Sequence, residues 1–541
     1  MAFSVRGLQG NPTTKDLQSP VWKDDGPMEL SPERGRYALL YSLAENQSFS
    51  FSLDLAKFST PDVAYQNGKY VSLFAPGVSF FAVPGYLLGK MAGFAQVGAF
   101  SAIALFGIIN AFLIRAIAIR MGAHPLAGTI GGVGFLFASP AFAYAVSLYQ
   151  HHVSTFLILA AVYLLIGKRK QEYPMENEKW KMENTHVGFW SLVGVWILFA
   201  LSIPVDYPNA FLMLPIAAVA LAKTFMVFKK PGEVTIKISF LHAFAMAGVI
   251  IPLAFFAWFN TQSYGNPLQL SGTLERVLHI DENNKPRLEG EVIREELKKS
   301  KDPRELKEKS ALGFFQNRTM LNGFYTHLFS PDRGMVMFTP LMLLGIVGII
   351  MAFYKKMPYV VLLVAIIGFD LILYSMWEDP YGGWAFGSRY LIPSYAILSI
   401  FIALVLTRYA RYNLLLLMFF VLFVYSTGVN TLGAITTNRN PPKVEIEGLE
   451  KQTHRHEEYT YMRNIGKLDA NQVKSFAFEA YAGNKVSAWT YYTGLVVFIV
   501  TVVAGMVVAL KYQISNIKYP ISNAKPKTEV SGRRREVYVK R

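Results

Sequence analysis

The sequence predicts an all-α polytopic membrane protein with about eleven transmembrane helices, joined on the outer face by juxtamembrane helices and loops. Three observations carry this. First, 52% of the 541 residues are hydrophobic, 14% are aromatic and only 17% are charged, a mixture too apolar for one water-soluble core. Second, apolar runs of about 18 residues or more recur along the chain, each long enough to cross roughly 30 Å of hydrocarbon as a helix. Third, these runs lack the alternation that a lipid-facing barrel strand needs.

In order, the runs fall near 96–117, 125–147, 152–167, 187–205, 207–227 and 237–259, then near 335–354, 358–376, 388–407, 412–432 and 489–510. Lysine and arginine orient them. The formal net charge is +16, and the basic residues gather in alternate connections: Arg115 and Arg120; Lys168, Arg169 and Lys170; Lys223, Lys229 and Lys230; Lys355 and Lys356; Arg408 and Arg411; and the tail from Lys511 to Arg541. The positive-inside bias makes those connections cytoplasmic, and it assigns the charge to a membrane surface and not to nucleic acid. The other connections face outward. They hold the unusual polar segments, "SLYQHH", "SIPVDYPNA" and "WEDPYGGWAFGSRY" among them.

The chain then divides into an extracytoplasmic N-terminal segment with juxtamembrane helices (1–95), transmembrane helices (96–259), a large outer loop (260–334), further transmembrane helices (335–432), an outer loop or small cap (433–488), a last transmembrane helix (489–510) and a basic cytoplasmic tail (511–541). An outside start needs a preceding span, and "MAFSVRGLQGNPTTKDLQ" has no apolar signal core. A first helix upstream of Met1, or a misassigned start, is therefore expected. The stretch 72–89, "SLFAPGVSFFAVPGYLLG", carries two prolines and reads as an interfacial helix. In "LEGEVIREELKKSKDPRELKEKS" glutamate precedes lysine at helical spacing, which predicts a short solvated helix or two. The tail is polar and basic and is expected to lie disordered against anionic headgroups.

Cysteine is absent, so disulfides, thiolate nucleophiles and cysteine metal sites are excluded. No cofactor is required by the residues; "HRHEE" at 454–458 has metal-ligand types without a diagnostic spacing, which leaves a divalent metal open but assigns no metal site. Glu29 and Glu33 precede "RYALLYSLAE", whose Tyr37, Leu40 and Tyr41 share one helical side. Glu33 can favour a helix N-terminus through the dipole, or act as a general base raised by desolvation. His151 and His152 stand between two spans, either as an interfacial polar cap or as groups that orient a phosphate or the base. Asp206 begins a span on the outer side. Asp370 lies within one and needs a partner or a proton. Arg333 and Arg389 end spans at the depth of a lipid phosphate, where a guanidinium binds phosphate oxygens or snorkels to headgroups.

Several of these segments together resemble the GT-C glycosyltransferases, the superfamily of bacterial aminoarabinose transferases and protein O-mannosyltransferases. "ELSPERGRYALLYSLAE" is similar to their acid-x-x-Arg-Tyr stretch, with Glu33 in the place of the acid, three residues before Arg36. "NGKYVSLFAPGVSFFAVPGYLLG" looks like the juxtamembrane segment that follows, although "SLFAPG" lacks its lysine. "LFSPDRGMVMFTPLMLLGIVGI" and "YGGWAFGSRYLIPSYAIL" are the most specific pieces of a similarity covering about residues 29–410. The resemblance implies a multi-pass plasma-membrane enzyme that moves a sugar from a polyprenyl-phosphate donor to an acceptor glycan, lipid or protein on the extracytoplasmic face. Arg389 would hold the donor phosphate, with Arg333 or Lys69 assisting. Glu33, with Glu29 beside it, would take the acceptor proton; His151 or His152 would orient the reacting groups; Asp206, Tyr207 and Trp384 would line the acceptor side. A transporter or lipid flippase is the alternative, and Asp370 motivates it, but no inverted repeat or pair of broken spans accompanies it.

Overall fold

Helix Arg389–Tyr409 is the axis of the bundle. It is hydrophobic on every side, and 89% of its most apolar window is buried, as expected for a helix ringed by others. The computed structural model describes residues 1–23, 26–167, 187–230, 233–300 and 311–516. Lys168, Arg169 and Lys170, the middle of the charged loop at 301–310, and the tail beyond Asn516 lie outside the described residues.

Among the described residues five helices are long and apolar enough to cross a membrane: Ala95–Arg120, Phe240–Tyr264, Arg389–Tyr409, Asn413–Ile435 and Ala488–Asn516. Six more apolar helices are shorter: Pro125–Phe137, His151–Leu165, Phe189–Ser202, Asn209–Ala222, Pro340–Tyr354 and Val360–Ser375. Together they occupy the eleven predicted runs, yet several are broken where an uninterrupted span was expected. The run 125–147 stops at Phe137 and resumes as Ala141–Ala145, because Pro140 has no N–H to give the helix. Pro340 interrupts 335–354 in the same way. The run 207–227 ends early, at Ala222, and the chain continues as a strand, Phe225–Lys230, paired with Glu233–Ile238.

Helix Gly77–Met91 doubles back along the first half of 95–120. The two backbones meet on glycine: a Cβ at Gly98 would stand 2.2 Å from the carbonyl oxygen of Gly85 and 2.7 Å from Cα of Gly89. In front of this hairpin lies helix Ser31–Glu45, whose second residue is Pro32, in the first turn where its missing N–H costs nothing. Leu53–Ser59 follows, then an antiparallel hairpin, Val63–Gln66 with Lys69–Ser72. A second hairpin, Val277–Ile280 with Pro286–Leu288, reaches over from the large loop and bridges Ala64 through Arg276.

The N-terminal residues are tied into the fold. Arg6 is fully buried; its guanidinium donates to the carbonyls of Ala434 and Gly433 and to Glu29. Phe476 N–H donates to the Val5 carbonyl. Residues 1–10, the end of helix 413–435 and the 470s are thereby fastened together.

Candidate active site

The polar segments between the spans converge on one cavity of about 850 Å³. Its wall takes residues from 30–36, 61–75, 203–211, 270–276, 314–315 and 374–390, with Gln150. Arg36 lies one turn beyond Glu33 on helix 31–45; it donates to Gln150 Oε1 at 2.7 Å and to the Pro32 carbonyl at 3.1 Å. Gln150 Nε2 passes the contact on to Asp206 Oδ2 at 3.2 Å, and Tyr374 donates to the same oxygen at 3.4 Å. No protein donor among the described residues occupies Asp206 Oδ1. Asp206 is held between Pro204 and Pro208, which stop the helices on either side of it.

Arg389 opens the axial helix, and it shares an aromatic partner with Arg36. The Arg36 guanidinium lies 5.4 Å from the Tyr149 ring centre and 4.6 Å from that of Phe74; the Arg389 guanidinium lies 5.2 Å from Tyr149 and 5.5 Å from Tyr390. Tyr390 in turn stacks on Tyr374, centres 4.2 Å apart and planes 4° from parallel. Arg389 Nε is buried with no hydrogen-bond partner. Two guanidinium groups thus sit against one phenol ring beside a half-buried carboxylate. Burial pushes the Asp206 carboxyl above its ordinary range, although Gln150, Arg36, Tyr374 and Arg389 each pull it back.

The other expected site residues are placed differently. Glu33 is not on the cavity wall: it is fully buried, and neither carboxylate oxygen has a partner. Burial, with Glu29 adding to it against Arg6 and Arg36, raises its pKa from 4.5 to about 7. Glu29 is tied by Arg6 and Lys474, each at 3.1 Å, and accepts from Thr437 Oγ1 and Asn438 N–H. Burial alone would raise its pKa; these partners outweigh it and hold it low. A carboxylate so occupied is a structural tie, not a free base. His152 is a core histidine, its Nε2 against the Ala141 carbonyl at 2.7 Å and its backbone carbonyl taken by Asn110. His151 stacks on Tyr149, centres 6.0 Å apart, and so backs the arginine pair without reaching the cavity.

Arg333 is also structural. It is 1% exposed and donates to the carbonyls of Asp332, Tyr381, Gly383 and Asn440 at 2.7–3.0 Å, which leaves it no free fork for a phosphate. Lys69 is exposed on the turn of its hairpin and does not line the cavity. Tyr207 and Trp384 do line it, Tyr207 bonded to Ser271 Oγ at 2.9 Å and Trp384 to Glu445 at 2.8 Å. Asp370 is off the wall and accepts from Ser394, tying helix 360–375 to the axial helix. Among the described residues no three His, Asp or Glu side chains are grouped to hold a metal ion.

No protein-family model matches the sequence, nor does any curated protein. Among solved structures, ArnT from Cupriavidus metallidurans in the apo state matches with a TM-score of 0.40 and 12% identity, over 95% of this chain and 74% of that one. The same protein bound to undecaprenyl phosphate gives a TM-score of 0.41 at 11% identity, with the same coverage. Archaeal oligosaccharyltransferase AglB from Archaeoglobus fulgidus, in complex with an inhibitory peptide and a dolichol-phosphate, gives 0.37 and 13%, over 78% of this chain and 54% of that one. Both are GT-C proteins.

Sequence reading missed Arg36, Tyr149, Gln150, Tyr374 and Tyr390 as wall or cation partners. Four of them lie inside the polar segments "PERGRY", "SLYQHH" and "WEDPYGGWAFGSRY", where the acid, the histidines and Arg389 beside them carry the stronger chemical signal. Tyr374 carries no local signal; it reads as one more apolar-helix residue until Tyr390 is seen to stack on it.

Proposed function

We propose that this protein transfers a sugar from a polyprenyl-phosphate donor to an acceptor hydroxyl, in a cavity at the outer membrane surface. The observation that carries the reading is the convergence of Arg36 and Arg389 on Tyr149 at the wall that also presents Asp206. Two like charges held together and partly desolvated are costly unless an anion joins them. A phosphate diester suits the pair, because each guanidinium offers a planar fork to its oxygens.

In this reading Asp206 Oδ1 takes the proton of the acceptor hydroxyl. The acceptor oxygen bonds to the anomeric carbon as the bond from that carbon to the phosphate oxygen breaks. The electron pair leaves on the phosphate, where the arginines meet the growing charge. One displacement inverts the anomeric centre. A carboxyl raised by burial is a stronger base than an exposed one, provided it starts ionised, and the two arginines favour that. The isoprenoid would lie against the apolar part of the wall, where Phe315 meets Phe211 at 5.7 Å and Phe314 stacks on Trp377 at 5.3 Å.

The test uses purified protein in detergent with undecaprenyl phosphate and undecaprenyl-phosphate sugars. Arg389→Ala should weaken undecaprenyl phosphate binding by about tenfold or more. Asp206→Asn should retain that binding and lose about a hundredfold or more in turnover. Wild-type donor binding by an Arg36→Ala, Arg389→Ala double variant would refute the reading.

A further inference from the structure

Arg389 is steered by its neighbours. Its guanidinium lies against the rings of Tyr149 and Tyr390, and its Nε, buried without a hydrogen-bond partner, stands 3.1 Å from where a Cβ on Gly382 would be. The direction of the side chain is therefore set by its own backbone and by those two rings. The chain leading up to it is locked as far as Phe386. Gly382 and Gly383 take φ of 73° and 61°, a left-handed pair that side chains rarely adopt. Asp379 accepts the N–H groups of Tyr381 and Gly383, the buried Arg333 holds the Tyr381 and Gly383 carbonyls, and the Phe386 N–H donates to the Tyr144 hydroxyl.

Ser388 takes the N-cap position of the axial helix, where a serine ordinarily bonds an N–H of the first turn; here its side chain makes no such bond. The hydroxyl is turned instead to His327, its Oγ 2.7 Å from Nδ1. The same imidazole meets the Tyr390 ring edge-on, centres 6.2 Å apart and planes at 75°. His327 and Ser388 are both buried. A close helix contact seats the histidine: one turn before it on helix Met320–Leu328, a Cβ at Gly323 would stand 2.2 Å from the Ser375 carbonyl oxygen, so glycine is what lets this helix lie against 360–375. One imidazole thus touches the residue before Arg389 and the residue after it, at the expense of a helix cap.

We propose that His327 is a positioning residue for donor binding: through Ser388 on the backbone and Tyr390 on the ring, it holds Arg389 in the direction that a lipid-linked phosphate requires. His327 lies off the cavity wall and acts only through these neighbours. The assignment rests on the glycosyl-transfer reading and adds to it a residue remote from the reacting atoms.

Calorimetry on the full-length protein in detergent tests this with two lipid probes, undecaprenyl phosphate and undecaprenol, which share a chain and differ in the anion. His327→Leu should weaken undecaprenyl phosphate binding about five- to tenfold and leave undecaprenol binding unchanged, because the fork is misdirected while the apolar wall stays intact. His327→Asn, whose amide can put a polar atom where Nδ1 stands, should bring the phosphate probe back to within about twofold of the wild type. Ser388→Ala removes a single oxygen and should cost about threefold for the phosphate probe alone, and the double variant with His327→Leu should be no worse than His327→Leu itself, since both remove one shared interaction. The alanine variant carries the test if the leucine variant does not fold. Wild-type affinity for undecaprenyl phosphate in either variant, an equal loss of both probes, a loss that asparagine does not reverse, or losses that add in the double variant would overturn the proposal. A wild-type protein that binds the two lipids equally counts against the glycosyl-transfer reading; a preference for the phosphate that Arg389→Ala removes and His327→Leu keeps counts against the positioning role alone.

Discussion

Arg333 and Arg389 both end apolar helices, and from sequence they have equal claims on a phosphate. What separates them is where their N–H groups go. Arg333 donates to four backbone carbonyls, whereas Arg389 keeps a buried Nε without a partner. Arg333→Met should therefore act on stability, by roughly 2–4 kcal/mol, because it strands buried carbonyls; thermal unfolding in detergent measures it. Glu33 gives a pH signature. Its pKa is 4.5 ordinarily and about 7 in the fold, so between those values the folded chain keeps a proton that the unfolded chain has released. Stability from this group consequently falls as pH rises through that window and stays lower above it. Glu33→Gln should gain on the wild type between pH 5 and pH 8, by up to roughly 3 kcal/mol, read as the difference in unfolding midpoints at the two pH values. A gain that does not change with pH would refute the buried, proton-holding carboxyl.

At the scale of elements, the glycine seam between helices 77–91 and 95–120 makes the sharpest demand. Any side chain at Gly98 meets the Gly85 backbone, so Gly98→Ala should cost about 1–3 kcal/mol and Gly98→Leu should prevent stable folding, judged by yield and gel-filtration profile. The helices themselves were legible. Hydrophobic length located all eleven apolar runs, because lipid-facing and core-facing residues are equally apolar and the period hardly matters. Their interruptions were less so: Pro140 and Pro340 are visible signals, but the strand that replaces the end of 207–227 begins within "FMVFKK", which by hydropathy merely continues the helix.

For the whole molecule, charge bias placed "PERGRY", "PVDYPN" and "GGWAFGSRY" on one side, and these segments do meet in one cavity. What the bias could not supply was depth. It said which end of the bundle each segment occupies, but not that Arg36 turns toward the cavity while Glu33, one turn away, is sealed behind it. Orientation across the bilayer is directly testable, since the chain has no cysteine of its own. Single cysteines at the exposed positions Leu268 and Met462 should react with an impermeant maleimide from the same side, and one at Tyr354 only after permeabilisation.

The clamp on residues 379–384 also bears on traffic through the cavity. That bank is pinned by Arg333 and Asp379 and continues directly into the axial helix, so it cannot swing. The opposite bank, 270–276, is held by Tyr207–Ser271, by the strand bridge between Arg276 and Ala64 and by Arg276–Asp62, the last pair 3.2 Å apart and partly open to solvent. Under the proposed transfer, a cavity with one fixed bank would admit donor and acceptor in a compulsory order, which initial-rate kinetics with both substrates varied would show as an ordered pattern.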